Sequence, residues 1–456
     1  MHRKKTSMDL LNGSIADKLL IFALPLAATG ILQQLFNAAD VAVVGQFAGK
    51  NAMAAVGSNA SLISLLVNSF TGISMGANVV ISRYIGKKDP EGIRKSVHTA
   101  LAFALVCGLA MCIAGQFWVT WILRRMSVPE EILPLSVLYM RIYIGGLPVI
   151  IFYNFLSAVF RSQGDTRTPL MVLASSGVIN IFLNLFFVCV MHMSVAGVAI
   201  ATVASNAFSA CVLFILLLRH PGDLRVRRED FRIYREELVQ ILRIGVPAAV
   251  QSMVFSFSNI IIQSAVNSLG PDVMAASSAA FNIEIFCFFV INSFGQACTT
   301  FVGQNYGAGR LDRCRRVTGI SLVMDLAVCA VVSFSILAAG KPLLGIFNGD
   351  EAVISLGLIR LRYILTGELI NVVMEIMSGS LRGYGYSLVP AVLTLFGVCG
   401  VRIGWVLLVF SRIGTYGILM ACYPLSWAVT ALALSAAYAL YIRRLGKEAA
   451  VSKYKK

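Results

Sequence analysis

Twelve apolar runs of roughly twenty or more residues, bounded by charged or turn-forming segments, divide the chain from end to end. They lie near 18–44, 53–81, 96–123, 133–160, 168–191, 194–218, 241–268, 273–302, 317–340, 352–380, 388–411 and 415–442. Helices of that length cross a hydrocarbon core of about 30 Å. Of 456 residues, 58% are hydrophobic and 13% charged, and mean hydropathy is +0.80. Soluble domains carry roughly a quarter charged residues. The expected fold class is therefore all-α: a polytopic membrane protein with twelve transmembrane helices. Its opening imitates a signal peptide, but the first run continues past Gly30 to about Val44 and reads as a retained helix.

Charge sets the orientation. With both termini and every even-to-odd connection in the cytoplasm, those segments hold 29 of the 38 Lys and Arg residues. Opposite-side connections hold five (Lys50, Arg124, Arg125, Lys341, Arg412), and Arg141, Arg360, Arg362 and Arg402 fall within runs. That skew follows the positive-inside rule and accounts for the net charge of +16 without nucleic acid as a partner. The connection Arg219 to Arg243 carries seven arginines with interleaved acids, and reads as an amphipathic segment on anionic membrane lipids. The expected organisation is an N-terminal six-helix lobe (1–220), a cytoplasmic basic linker (221–240) and a C-terminal six-helix lobe (241–456).

The two lobes are related. Arg161, Gly164 and Pro169 match Arg382, Gly385 and Pro390 at a displacement of 221. The same displacement pairs Gly49, Met53, Ala54 and Ala55 with Gly270, Met274, Ala275 and Ala276, and Gly86 with Gly307. Pro25 matches Pro247 with one residue of gap. Six helices per half give both halves the same orientation, so these are parallel repeats forming two pseudo-symmetric bundles. That architecture places a substrate site between halves near the midplane, reached by alternating access.

Ionisable groups at bilayer depth are functional candidates. Gln33, Asn37 and Asp40 form a polar stripe on the first helix, and the repeat counterpart of Asp40 is Ile261 or Ile262, so the acid is one-sided. Asn180 and Asn184 pair on the fifth helix, and Thr202 and Asn206 on the sixth. Oxygens converging on Asp40 suit a cation site, sodium included, or the cage of a titrating acid; the alternative is an acid that fastens helices. Asn154 joins the cavity candidates of this half. In the second half, Gln251, Asn259, Gln263 and Asn267 share a face of the seventh helix with Phe255 among them. Glu284 lies in the eighth helix, and Glu368, Asn371 and Glu375 line the tenth. Glu284 and Glu375 are expected to face a cavity and attract organic cations, while Glu368 has a structural alternative in pairing with Arg141, Arg360 or Arg362. Asp325 is expected to snorkel to the surface. Aromatic and methionine side chains such as Met140, Phe152, Tyr153, Phe255, Phe288 and Met374 would suit promiscuous apolar ligands.

Other chemistries lack their residues. GQFAGK (45–50) is one residue short of a phosphate-binding loop, and there is no HExxH or GxSxG. Ten cysteines scatter through apolar runs without metal-ligand or disulfide spacing. The reading is a transporter, not an enzyme, with no cofactor and no resident metal. A non-transporting receptor or scaffold is the alternative of another class, and the tandem halves with their one-sided acid argue against it.

The chain resembles the multidrug and toxic compound extrusion (MATE) family of the multidrug/oligosaccharidyl-lipid/polysaccharide exporter superfamily. The resemblance rests on Pro25, ADVAVVGQFAG (39–49), AAVG (54–57), GANVVISRYIGKKD (76–89), FRSQGDTRTP (160–169), NIFLN and GVAIATVAS (180–205), and FVGQNYGAGR (301–310). It implies an antiporter of the bacterial cytoplasmic membrane that exchanges protons or sodium for small organic, often cationic, compounds and works as a monomer. It further implies coupling at Asp40, assisted by Asn180, position 184 and Thr202. Position 184 is Asn where many relatives have Asp, and Phe255 stands where some carry a glutamate. A lipid-linked saccharide flippase of the same superfamily is the alternative, but it should line its cavity with basic residues rather than acids and amides.

Overall fold

A computed structural model of the chain describes residues 8–126 and 128–454, and the basic residues 3–5, 455 and 456 of the charge count lie outside them. Every regular element among the described residues is helical. The first half comprises α1 (Ile15–Phe47), α2 (Lys50–Lys87), α3 (Pro90–Arg125), α4 (Leu133–Gly145), α5 (Leu147–Ser162), α6 (Arg167–Val190) and α7 (Ser194–Leu218). The second comprises α8 (Arg235–Asn267), α9 (Pro271–Gly307), α10 (Leu311–Ala338), the short α11 (Gly340–Phe347), α12 (Glu351–Gly383), α13 (Leu388–Ile413) and α14 (Tyr416–Tyr454).

Ten of these helices are long and apolar enough to cross a membrane, and α4 with α5, bent by 48° at Gly146, are so when taken together. The bend falls where Gly145, Gly146 and Pro148 interrupt the run, and Pro at a helix start lacks only an N–H that would be unpaired anyway. The twelfth run is α12, whose 33 residues include Arg360, Arg362, Glu368 and Glu375. The chain is a multi-pass membrane protein.

Residues group into two compact units, 28–245 and, with 9–27, 246–456. The grouping of 9–27 differs from the expected boundary, which left those residues in the N-terminal lobe. The reason is visible in the second unit. Asn305 donates to the Leu10 carbonyl at 3.2 Å, Arg310 donates to that of Leu11 at 2.6 Å, and Phe22 packs edge-on against Phe301. Pro25 lies inside α1 just before residue 28, where the helix passes from one unit to the other.

The repeat is written into the turns. α5 and α12 end at Ser162 and Gly383, and each is followed by a glycine at positive φ, Gly164 at 93° and Gly385 at 83°. Asp165 N–H donates to the Phe160 carbonyl and Tyr386 N–H to the Leu381 carbonyl, the same helix-ending bond in both halves. Gly49 and Gly270, at 85° and 102°, likewise precede α2 and α9. Only glycine takes these backbone angles without strain.

Candidate functional site

The site lies inside the first unit. Asp40 is 6% exposed, in the C-terminal part of α1. From α6, the Asn184 amide donates to its Oδ1 at 2.5 Å and also to Asn180 Oδ1 at 3.1 Å. From α7, the Thr202 hydroxyl lies 3.2 Å from Asp40 Oδ2 and 2.9 Å from the Val198 carbonyl of its own helix. Asn206 closes the next turn by donating to the Thr202 carbonyl. Three helices are thus tied to one acid, because i, i+4 spacing puts Asn180 and Asn184 on one face of α6.

A hydroxyl has one proton. If Thr202 gives it to Val198, the nearer acceptor, then Asp40 Oδ2 must be the donor in the 3.2 Å contact, and Asp40 is a carboxylic acid. If Thr202 turns its proton to Asp40, the acid is ionised and accepts from both neighbours. The same heavy-atom positions serve both states.

Two tyrosines, missed by the sequence reading, complete the surroundings. Tyr139 and Tyr143, one turn apart on α4, stack at 6.5 Å between ring centroids, are buried, and lie within electrostatic reach of Asp40. Their i, i+4 spacing in an apolar run was the available signal. Val44, Val195, Val198 and Ala199 pack in an apolar cluster with Tyr139. Gln33 and Asn37 stand exposed on α1, and Asn154 on α5 donates to the Ile150 carbonyl.

The MatE family model matches residues 25–186 and again 247–407. The chain belongs to the MatE family. MatE proteins are transporters, not enzymes. The chain is 28% identical over 435 residues to the probable multidrug resistance protein YoeA of Bacillus subtilis, covering 93% of this chain and 94% of that one. It is 26% identical to the probable multidrug resistance protein NorM of Thermotoga maritima, covering 88% of each. A solved outward-facing multidrug resistance MATE transporter superposes with a TM-score of 0.89 at 22% identity, covering 96% of this chain and 98% of that chain. The doubled family match coincides with the internal repeat.

In this MatE chain Glu284 and Glu375, expected to face a cavity and attract organic cations, each face an arginine. Glu284 faces Arg360, whose Nη2 donates to Oε1 at 2.6 Å and whose Nη1 donates to Ser277 at 2.6 Å. Glu375 receives Arg382 at 3.3 Å. Both acids are buried, and a buried carboxylate without a counter-charge is expensive, so the guanidinium is its natural partner. Glu368 pairs with none of the three arginines weighed from sequence and accepts from Asn371 at 2.7 Å. Gln251 is buried and donates to Thr394, Phe255 is half-buried, and Asn259 accepts from Arg402 at 3.2 Å. Exposed Gln263 donates to Asn267. Asp325, expected at the surface, is fully buried in α10.

Proposed function

We propose that this MatE protein exports small organic compounds, cations among them, from the bacterial cytoplasm in exchange for a proton that is carried by Asp40. The observation that supports this is the cage itself: one buried acid, held by Asn184 and Thr202, whose heavy atoms suit both the protonated and the ionised form. A sodium ion wants several oxygens turning lone pairs toward it. Here Asn184 turns its amide N–H groups toward Asp40, and the second carboxylate that would strengthen sodium binding is replaced by that same Asn184. The names of the relatives support the substrate class.

Antiport requires that ion and cargo prefer different states of the protein. Protonated Asp40 hydrogen-bonds α1 to α7 through Thr202 without burying a charge. Ionised Asp40 buries a charge with these two donors alone, and hydration of that charge favours a looser packing of α1, α6 and α7. The test is ethidium efflux in everted vesicles under a proton gradient or a sodium gradient imposed separately. Efflux driven by sodium and indifferent to the proton gradient would contradict the reading. Both termini are placed in the cytoplasm on the charge distribution, with the basic segment 221–240 lying on anionic lipid.

A further inference from the structure

Half-way along α10, Asp325 is 0% exposed, and neither of its carboxylate oxygens has a hydrogen-bond partner. It belongs to a buried polar face of that helix on which Thr318, Ser321, Asp325, Cys329 and Ser333 recur at steps of three and four residues. Three contacts fix what faces it. Thr318 lies 2.8 Å from Ser380 of α12, Cys329 lies 3.5 Å from Cys287 of α9, and the Cys298 thiol of α9 points at the Ile376 carbonyl of α12. Asp325 therefore sits in a seam where α9, α10 and α12 meet.

On α12, the buried Ser378 hydroxyl and Asn371 Oδ1 are also without partners. Ser321, one turn from Asp325, has only the weakly bonding Cys298 thiol beside it. The ionisable groups within electrostatic reach of Asp325 are Cys287 on α9 and Glu368 and Glu375 on α12. Cys298 of α9 also senses Asp325, Arg382 is occupied by Glu375, and Cys329 lies one turn along α10 itself. From α11, Lys341 is exposed and paired with Glu351.

Acids that are paired look different in this same unit. Glu284 and Glu375 each face a guanidinium, whereas Asp325 faces other acids and thiols. A second negative charge among them, far from water, is strongly disfavoured, so the ligand that fits is a proton. Unpartnered hydroxyl and amide groups in such a polar seam are the usual hosts of buried water.

We propose that Asp325 is a second proton-carrying group, distinct from Asp40, in a hydrated seam of the C-terminal unit. In one state the carboxylic acid holds its proton. In the other, its O–H bond breaks, the proton passes through water beside Ser321 to bulk solvent, and the carboxylate accepts bonds from the water that remains in the seam. The inference deepens the coupling reading above and rests on it for what drives the exchange between states.

The test uses the purified full-length protein in detergent. Ethidium is added in weakly buffered solution, proton release is read with a pH dye, and infrared difference spectra are recorded on the same samples. The expected result is two protons per bound ethidium for the unaltered protein, one for Asp325→Asn, one for Asp40→Asn, and none for the double variant. The acid carbonyl band of Asp325 should vanish in Asp325→Asn and remain in Asp40→Asn. Unchanged release and an unchanged band in a folded Asp325→Asn protein overturn the proposal and leave the role of Asp40 intact. The opposite pattern, loss in Asp325→Asn and none in Asp40→Asn, sustains the proposal and overturns the coupling reading. Should Asp325→Asn not fold, Asp325→Glu and Ser321→Ala decide. Each should keep the proton count and shift the carbonyl band, and bands that stay in place overturn the proposal.

Discussion

The side-chain amide of Asn184 reaches Asp40 at 2.5 Å across 144 residues of sequence, and no other side-chain bond to that acid among the described residues is shorter. A hydrogen bond to an ionised group contributes ~1.5–3 kcal/mol. Asn184→Ala is therefore expected to slow ethidium efflux at least tenfold at equal amounts of folded protein. Thr202→Val, which removes the longer and shared bond, should slow it by less. Expression-matched efflux rates check the order, and a milder effect at 184 than at 202 would contradict it.

Glu284→Gln is expected to cost stability rather than to change selectivity. It leaves the Arg360 guanidinium buried without its counter-charge, a loss of ~3–5 kcal/mol. Thermal unfolding in detergent should show the drop, and Glu284→Leu with Arg360→Met should recover much of it. Resistance to neutral and to cationic compounds should fall together. A loss confined to cations would restore a charge-selecting role for Glu284.

A tight helix crossing in the first unit gives a test of packing. A Cβ on Gly76 of α2 would stand 2.2 Å from the Ile241 carbonyl oxygen and 2.7 Å from the Gly245 nitrogen of α8, both backbone atoms that cannot swing aside. Gly76→Ala should destabilise by ~1–3 kcal/mol. Gly319→Ala, where nothing lies within 4 Å, should be neutral or slightly stabilising. Unfolding temperatures of the two variants make the comparison.

The N-terminal segment supplies a pH dependence. Asp9 is held below the ordinary carboxylate range, first by the Asn12 side-chain amide; desolvation opposes this as the next largest effect, and the Leu11 and Asn12 backbone N–H groups and Lys18 add to the lowering. A depressed pKa in the folded state gives stability that is complete above the unfolded value of about 3.9 and is lost as pH falls through the folded value. Asp9→Asn should therefore lower the unfolding temperature at pH 7 and have progressively less effect below about pH 4. An equal deficit at both pH values would show that charge is not the cause.

Twelve apolar runs and one repeated offset made the spans and the two halves legible, because span length and repeated turn glycines are local signals. The one-sided acid and the i, i+4 amides pointed to a cage, and the family resemblance implied Asp40, Asn180, Asn184 and Thr202 as its members, which the hydrogen bonds join. What stayed hidden depended on which face each helix turns inward. Glu284 and Arg360, separated by 76 residues, lie on helices whose mutual rotation no single periodicity fixes. Asp325 followed the same pattern: its place near the start of the ninth run pointed to snorkelling outward, and its inward direction was not readable. The tyrosines of α4 were concealed by their ordinary role as packing residues.

The central claim, that Asp40 couples a proton to export, meets its most direct test in everted vesicles carrying Asp40→Asn. Asparagine keeps the shape of the acid and remains a neutral side chain at every pH. The account predicts a folded, membrane-inserted protein at normal abundance in which an imposed proton gradient no longer accelerates ethidium efflux. Efflux by Asp40→Asn at the unaltered rate under that gradient would contradict it.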